Sequence, residues 1–434
     1  MLRAAGFPHL LTLRAPVKTI ALIGFAEALS APEVCWSLVD GGLQVIAFAR
    51  RGRRSAVGHS RYVSVVQVTS PEDDEGATVR EIEALMRSLA TPQRRVVLFP
   101  LDDSAVWLCG QVPVDCRPEP DLGASDQKAS AINQGSFSRA GPSGDQLIVS
   151  LDKSAQIEAA KLAGFRVPAT TIAQSVEQLL LPDQSFPLIL KPAKAVVSRD
   201  GRLRKVRNWI CGDRRELESA AKSWAGSVPL LIQPYIAGTG CGIFGLATAD
   251  GVEAISGHRR LRMMNPHGSG SSACASEDVS AENLHVTKQF IEQIGWRGLF
   301  MIETLRDAAG VHWFMELNGR PWGSIALARR QGLEYPLWTT RIALDHLWKF
   351  DGSPHASPGL VCRNIGRELM HLLFVLRGPK SIALTQWPGF WKAFAGVVRF
   401  HRRAFYYNWR SDDARVFFAD CYYTLRNNIL KRRN

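Results

Sequence analysis

The stretch that decides the fold is LFMIETLRDAAGVHWFMELNGRPWGS, at residues 299–324. Two mainly apolar runs flank the turn residues 307–310, a pattern that predicts two antiparallel strands joined as a hairpin. We predict a register in which the numbers of paired residues sum to about 617. In that register Glu303 lies opposite Phe314 and diagonal to Glu316.

Side chains along a strand point alternately to its two faces, so this register assigns each residue of the hairpin to a face. One face is largely apolar and is expected to pack on a core; it consists of Phe300, Ile302, Thr304, Trp313, Met315 and Leu317. The opposite face combines polar and apolar side chains, namely Glu303, Glu316, Asn318, Leu299, Met301 and Phe314. We expect this mixed face to carry the chemistry of the protein.

Two carboxylates and an amide oxygen on one surface are costly to hold together unless a cation neutralises them. Oxygen ligands of this kind suit Mg²⁺, which binds one or two carboxylates together with substrate phosphates; Mn²⁺ is an alternative ion. We therefore predict that Glu303, Glu316 and Asn318 bind the metal. Met301 and Phe314 fit the floor of a purine pocket beside it. The alternative is two solvated glutamates on an exposed sheet face.

The preceding sequence predicts a small open parallel α/β domain at residues 19–118. Apolar strand patterns alternate there with helical patterns, in the order 19–24, 32–39, 43–49, 78–89 and 95–100. This alternation favours parallel strands with right-handed crossovers. No GxGxxG motif follows the first strand, so a dinucleotide site is not indicated.

The remaining segments differ in composition from these domains. Residues 119–146 are rich in Ser, Gly, Pro and Asn and are predicted to be a flexible connection. Residues 1–18 contain no acidic residue and are predicted to be disordered or leader-like. Residues 345–434 are predicted to be basic, aromatic-rich and helical. Residues 351–434 have 14 Lys/Arg against 5 Asp/Glu, and so supply most of the net charge of +13. The charge favours a role of this region in binding an anionic partner. The alternative is that the region is a helical subdomain whose aromatic side chains pack on the core.

The string ELNGR at residues 316–320 is similar to the E-x-N-x-R motif of biotin carboxylases and related ligases of the ATP-grasp superfamily. The chain resembles this superfamily over about residues 147–344, and in particular its carboligase-like members. The resemblance implies that Glu316 and Asn318 bind Mg²⁺ and that Arg320 acts at the reacting centre.

Further residues match the resemblance in their order along the chain. Lys153 opens the helix of LDKSAQIEAAKLAGFRVP and Lys191 ends a strand in FPLILKPAK, and both are implied to contact ATP phosphates. Gln233, in LLIQPYIAG, is implied to bind the adenine amino group, with backbone contacts from Tyr235 and Ile236. The alternatives are a solvated Lys153, a Lys191 whose stem packs at a strand end, and a Gln233 that satisfies a backbone group.

A basic cluster, GHRRLR, precedes a Gly/Ser segment at residues 268–272. We predict that Arg260 or Arg262 binds the γ-phosphate or the acceptor carboxylate, because guanidinium groups bind such oxygens bidentately. A solvated strand end is the alternative. The Gly/Ser segment is expected to be a flexible loop that closes over the substrate.

The chain departs from many ATP-grasp enzymes after Lys191. Those enzymes have a glycine-rich loop over the phosphates, whereas this chain has PAKAVVSRDGRLRKVRNW with one glycine. Side-chain charge is expected to replace the backbone contacts there. The candidates are Arg199, Arg202, Arg204 and Lys205.

Together the patterns predict an α/β and α+β multidomain protein. It consists of a small open parallel α/β domain, an ATP-grasp core with lobes at about 147–229 and 230–344, and a basic helical C-terminal region. The predicted function is an ATP- and Mg²⁺-dependent ligase that activates a carboxylate as an acyl phosphate and joins it to an amine. Alternatives are an ATP-grasp kinase, an inactive nucleotide-binding protein, or a protein that binds a membrane or nucleic acid through its tail.

The expected partners are a small carboxylate and a small amine, without a specific nucleic acid. A homodimer and peripheral membrane contact by the C-terminal region are further expectations. The eight cysteines have no metal-ligand spacing, and no apolar run is long enough to cross a bilayer. These features indicate a reduced, cytoplasmic protein.

Overall fold

The computed structural model describes residues 18–91, 93–114, 137–346, 348–350, 352, 356–399 and 402–430. The predicted leader at 1–18, apart from its last residue, lies outside the described residues. So does most of the predicted connection at 119–146.

The N-terminal domain is built on a five-stranded parallel sheet of order β3-β2-β1-β4-β5. Its strands are β1 Lys18–Gly24, β2 Gln44–Arg50, β3 Val63–Val68, β4 Arg94–Pro100 and β5 Phe137–Arg139. Its helices are α1 Ala31–Asp40, α2 Glu75–Leu89 and α3 Asp103–Gln111, and a short 3₁₀ helix spans Ala56–His59. The predicted parallel domain is confirmed. Its predicted end at residue 118 is wrong, because β5 pairs with β4.

Aspartate side chains start two helices of this domain, α2 and α3. Asp74 accepts a hydrogen bond from the Ala77 amide, and Asp102 accepts one from the Ala105 amide, each over 2.8 Å. Such caps satisfy amide groups that have no partner within a helix. Asp102 thereby places Asp103 in the first turn of α3.

The first lobe of the core contains a four-stranded sheet of order β10-β7-β11-β6. These strands are β6 Thr171–Ala173, β7 Leu188–Pro192, β10 Trp209–Cys211 and β11 Leu230–Pro234, and a separate hairpin consists of β8 Val197–Arg199 and β9 Arg202–Arg204. The helices are α4 Asp145–Leu151, α5 Lys153–Leu162, α6 Val176–Leu179 and α7 Arg214–Trp224. Because β11 belongs to this sheet, the predicted lobe boundary at 229/230 comes before the true end of the lobe.

The second lobe is built on a seven-stranded sheet of order β16-β15-β12-β13-β14-β17-β18. Its strands are β12 Thr239–Thr248, β13 Gly251–Asn265, β14 Ser269–Glu277, β15 Gly298–Arg306, β16 His312–Asn318, β17 Val361–Arg363 and β18 Ala404–Tyr406. Helices α8 Ala281–Gln293, α9 Ile325–Arg329 and α10 Tyr335–Leu344 belong to the same lobe. Residues 269–272, predicted to be part of a flexible loop, are the start of β14 and pair with β13.

The C-terminal region is helical, as predicted, but it also extends the sheet of the second lobe through β17 and β18. Its helices are α11 Ile365–Arg377, α12 Phe390–Val398 and α13 Ala414–Leu430, with a short 3₁₀ helix at Ser411–Asp413. Tyr407 is 1% exposed, whereas Trp391 is 77% exposed, so only some of the aromatic side chains pack on the core. Within the described ranges, no helix has the length and apolar character that a membrane span requires.

Candidate active site

A cleft of about 1130 Å³ separates the two lobes and continues to the C-terminal region. Most of the predicted site residues line it: Lys153, Lys191, Gln233, Tyr235, Ile236, Arg260, Met301, Glu303, Glu316, Asn318 and Arg320. Phe314 and Arg262 do not. The fold therefore brings residues from Lys153 to Arg320, 167 positions apart, to one cleft, and the reasons for the two exceptions are local.

Glu303 of β15 and Glu316 of β16 are direct partners across the hairpin, and Met301 is the partner of Asn318. The predicted register, which put Phe314 opposite Glu303, is wrong. The true pairing brings the two carboxylates closer than the predicted diagonal arrangement. Asn318 donates from Nδ2 to Oε1 of Glu316 over 3.2 Å, which leaves its amide oxygen as the atom that can bind a cation.

A β-bulge beside this pair exchanges the faces of two residues. Met315 is an extra residue in β16, so the ladder shifts by one position after Glu303. Side chains beyond such a bulge change faces. Phe314 therefore packs in the core, with its ring centroid 5.3 Å from that of Phe165, while Met315 lines the cleft. The predicted nucleotide contact of Phe314 is wrong, and that of Met301 stays a prediction.

Lys153 reaches the acidic pair from the first turn of α5. The carboxylate of Asp152 caps this helix by accepting from the Ser154 amide over 2.9 Å. Lys153 Nζ then lies 2.8 Å from Oε2 of Glu316. Burial opposes both charges, but their attraction raises the pKa of Lys153 and lowers the pKa of Glu316. Lys153 is therefore a charged residue of the cleft floor and not a solvated one.

Lys191, at the end of β7, is a half-buried cation without an acidic partner among the described residues. Its Nζ lies 3.6 Å from Sδ of Met315, and no carboxylate of the described residues is within ion-pair distance. Burial, aided by the charge of Lys153, lowers the pKa of Lys191 to about 8. A charge that is partly removed from water and has no partner is unfavourable. This position is therefore suited to an anionic ligand.

The predicted adenine contacts lie at the end of β11. Gln233 donates from Nε2 to Oγ1 of Thr170 over 2.9 Å, which leaves its amide oxygen to accept from an amino group. The amide of Tyr235 already donates to the Pro187 carbonyl over 2.9 Å, so Tyr235 can offer only its carbonyl. Ile236 lines the cleft beside it. The adenine roles of these residues stay predictions.

Two glycines of β12 make room for side chains of the neighbouring strand. A Cβ atom at Gly240 would lie 2.8 Å from Cδ of Arg260, and one at Gly242 would lie 2.9 Å from Nε2 of His258. Through the first gap Arg260 reaches Glu303, with Nη2 2.7 Å from Oε2. We did not predict these glycines. The signal was the spacing in TGCG, which places two residues without side chains on one face of a strand.

Arg262 is not a cleft residue. A register shift lies between Arg260 and Arg262, so the two side chains point to opposite faces of the sheet. Arg262 binds Glu368 of α11 with two hydrogen bonds of 2.9 and 2.8 Å. The predicted contact of Arg262 with the γ-phosphate or the acceptor carboxylate is therefore wrong, and Arg262 joins the C-terminal region to the core.

Arg320 is held by the N-terminal domain. Its Nε lies 2.6 Å from Oδ1 of Asp103, which also pairs with Lys205 over 3.1 Å. Burial opposes these charges, yet their attraction raises the pKa of Arg320 and lowers the pKa of Asp103. Asp103 thus fixes the guanidinium at the cleft, and sequence patterns had offered no sign of this partner.

The hairpin β8–β9 occupies the place of the expected phosphate-covering loop, but it packs on the N-terminal domain. Leu203 is buried there, and Oγ of Ser198 donates to Oε2 of Glu75 over 2.5 Å. The three predicted arginines of this hairpin are exposed and do not line the cleft; they are Arg199, Arg202 and Arg204. Their predicted phosphate contacts are wrong. Arg207 lines the cleft instead.

The donor set of the cleft floor fits Mg²⁺. Glu303 and Glu316 offer two adjacent carboxylates, and Asn318 offers an amide oxygen. Among the described residues no group of three or more His, Cys, Asp and Glu side chains could hold a metal ion, so additional ligands would come from phosphate oxygens. Both carboxylates are paired with cations, Lys153 and Arg260, that a metal would displace.

Solved structures match about four fifths of this chain. An L-amino acid ligase from Bacillus licheniformis is 16% identical, with a TM-score of 0.58 over 80% of this chain and 79% of that one. The biotin carboxylase domain of the Hydrogenobacter thermophilus 2-oxoglutarate carboxylase, solved with MgADP and bicarbonate, is 16% identical, with a TM-score of 0.55 over 80% and 74%. N5-carboxyaminoimidazole synthetase from Staphylococcus aureus, complexed with ADP, is 12% identical, with a TM-score of 0.54 over 80% and 82%.

No protein-family model and no curated protein matches the chain. The likeness to these solved structures covers about four fifths of the chain, and the cleft is lined by the acidic pair and the two lysines. The protein therefore has the ATP-grasp fold.

Proposed function

We propose that the protein is an ATP- and Mg²⁺-dependent ligase that activates a carboxylate as an acyl phosphate and joins it to an amine. The observation that carries this proposal is the cross-strand pair Glu303–Glu316, which faces Lys153 and lies in the same cleft as the unpaired Lys191. An acidic pair for a metal beside two lysines for phosphates is what binding of a metal–nucleotide complex requires. The names of the structural neighbours support the same class of reaction.

Glu303, Glu316 and Asn318 would hold Mg²⁺, which when bound screens the charge of the phosphates. Lys191 is placed to neutralise a phosphate oxygen because, among the residues that the structure describes, no carboxylate is within ion-pair distance of it. Lys153, once released from Glu316, offers a second positive charge on the same side. Phosphoryl transfer depends mainly on such positioning and neutralisation. The ion pairs of Lys153 with Glu316 and of Arg260 with Glu303 supply charged groups of this kind in the cleft.

The proposed reaction has two steps. A carboxylate oxygen of the first substrate attacks the γ-phosphorus, the bond to the β–γ bridging oxygen breaks, and ADP leaves. The amine then attacks the acyl carbon, loses a proton to solvent, and phosphate leaves. Arg260, next to Glu303, orients the reacting carboxylate, and Arg320, fixed by Asp103, stabilises negative charge in both steps.

The experiment that tests this proposal is measurement of ADP and free phosphate release from ATP and Mg²⁺, with a library of small carboxylic acids and amines. We expect release that depends on both an acid and an amine. ADP formed with the phosphate retained on a substrate would instead show a kinase. Nucleotide binding without turnover for any pair would favour an inactive binding protein.

The titration of Lys191 predicts proton uptake when ADP and Mg²⁺ bind. Its pKa of about 8 means that the free protein is half protonated there at about pH 8. A phosphate raises this pKa, so binding should take up about half a proton at that pH and almost none at about pH 6.5, where Lys191 is already charged. Calorimetry in buffers of different ionisation enthalpy measures this uptake.

The matched control is Lys191→Arg, because arginine stays protonated over this range. In this variant we expect nucleotide binding without pH-dependent proton uptake. Equal uptake by the variant and the wild type would contradict a role of Lys191 at the phosphates.

A second candidate role, peripheral contact with an anionic membrane, is favoured by one face of α12. Trp391, Phe394 and Val398 are 77%, 41% and 62% exposed and follow helical spacing beside the exposed Lys392. We expect Trp391→Glu to reduce sedimentation with anionic vesicles about tenfold. Leu162→Glu, at a 79% exposed position of α5, is the control. Wild-type protein that stays in the supernatant would refute this role.

A further inference from the structure

Arg367 lies in the cleft wall although it belongs to the C-terminal region. It occupies the first turn of α11, where its amide donates to the capping Asn364 side chain over 2.9 Å. Its Nη1 donates to the Ser271 carbonyl over 3.2 Å. No carboxylate of the described residues is within ion-pair distance of its guanidinium, whereas the nearby Arg363 pairs with Glu368 over 2.6 Å. Arg367 therefore has unused hydrogen-bonding capacity that faces the cleft.

Gly270 makes the space for this guanidinium. A Cβ atom at Gly270 would lie 2.6 Å from Nη1 of Arg367, and its φ of +52° is one that other residues rarely adopt. A larger residue here would push the arginine away from the cleft. The glycine of the Gly/Ser segment thus has a specific use in the described fold, different from the loop flexibility predicted for it.

One acid, the buried Asp420, attracts the Arg367 guanidinium, but it lies beyond ion-pair distance and accepts from the Asn364 side chain over 2.8 Å. The cleft side of Arg367 has further donors. Cys274, the cross-strand partner of Arg260, lies 2.8 Å from the Ser271 hydroxyl. His258 is 2% exposed, its Nδ1 is 2.9 Å from the Ser324 hydroxyl, and its Nε2 has no partner. The acids that line the cleft within the described residues are Asp102, Glu303 and Glu316, and all three come from the N-terminal domain or the β15–β16 hairpin.

We infer that this end of the cleft binds a substrate carboxylate that is not consumed, and that Arg367 is the residue that holds it. The inference rests on the ligase function proposed above. Arg260 pairs with the acidic floor and serves the reacting carboxylate, so a second guanidinium on the far wall fits a second, planar oxyanion. The substrate class that carries one is an amine with its own carboxylate, as in an amino acid.

The test uses the full chain, saturated with ADP and Mg²⁺, and the arginine reagent phenylglyoxal. Peptide mass spectrometry measures the modification rate of each arginine. We expect about 20 mM malonate to slow modification of Arg367 about fivefold by mass action, and the neutral malonamide to have no effect. Arg377, exposed at the other end of α11, is the matched control whose rate should not change.

Inorganic phosphate is the third probe. Protection by phosphate but not by malonate would overturn the inference in favour of a phosphate subsite, and no protection by either anion would overturn it altogether. Gly270→Ala should abolish the protection by malonate while ADP still binds. Calorimetric binding of ADP and Mg²⁺ to the same sample separates the two proposals. ADP binding without malonate protection of Arg367 refutes the carboxylate subsite. Malonate protection without ADP binding refutes the nucleotide site.

Discussion

Replacement of Glu316 by glutamine is expected to lower ATP-dependent turnover about 10²- to 10³-fold. The variant loses a candidate metal ligand next to Glu303 and also the anion that is 2.8 Å from Lys153. Burial of Lys153 would then be opposed only by the weaker attraction of Asp103 and Glu303, which shifts Lys153 toward its neutral form. The loss of two charges at the reacting centre is why this effect should exceed that of any other single change in the cleft.

The matched control is Glu277→Gln, in β14 of the same sheet. Glu277 pairs with Arg259 and Arg306 over 3.7 and 3.5 Å and does not line the cleft. Its loss should change turnover less than about twofold, because partly exposed ion pairs contribute little. The measurement is release of ADP at saturating ATP and Mg²⁺, with circular dichroism to verify folding. Turnover of Glu316→Gln within tenfold of the wild type would exclude a metal site on the acidic pair.

The second large effect is on stability, from Glu368→Gln. Glu368 is fully buried and accepts hydrogen bonds from Arg262 over 2.9 and 2.8 Å, from Arg363 over 2.6 Å and from the Ser272 hydroxyl over 2.9 Å. Removing its charge leaves two arginines without their buried anion. We expect the free energy of unfolding to fall by about 3–5 kcal/mol.

Chemical denaturation, read by tryptophan fluorescence, measures this change. Glu292→Gln, at an exposed position of α8, is the control and should change the free energy of unfolding by less than about 0.5 kcal/mol. A similar loss in Arg262→Met, with binding of ADP retained, would agree with the structural role of Arg262. Equal stability of Glu368→Gln and the wild type would show that this cluster does not hold the C-terminal region to the core.

Two errors in the predicted site, at Phe314 and Arg262, have a common cause in the sheet. Alternation of polar and apolar residues predicts faces correctly only as long as the ladder is regular. One extra residue in β16 moved Phe314 to the core and Met315 to the cleft, and a shift after Arg260 turned Arg262 toward α11. A bulge leaves no mark in a short alternating pattern. These positions were therefore beyond what local reasoning could resolve.

The chain alone determined the parallel N-terminal domain, the acidic hairpin and the positions of Lys153 and Lys191, because strand alternation, helix caps and motif order are properties of neighbouring residues. Only the tertiary structure decided that Asp103 holds Arg320, 217 positions away, and that Glu368 binds Arg262. It also placed Arg367 over Gly270. Such contacts join segments that are distant in the chain, and their energy comes from burial and charge pairing that arise only when the layers pack together.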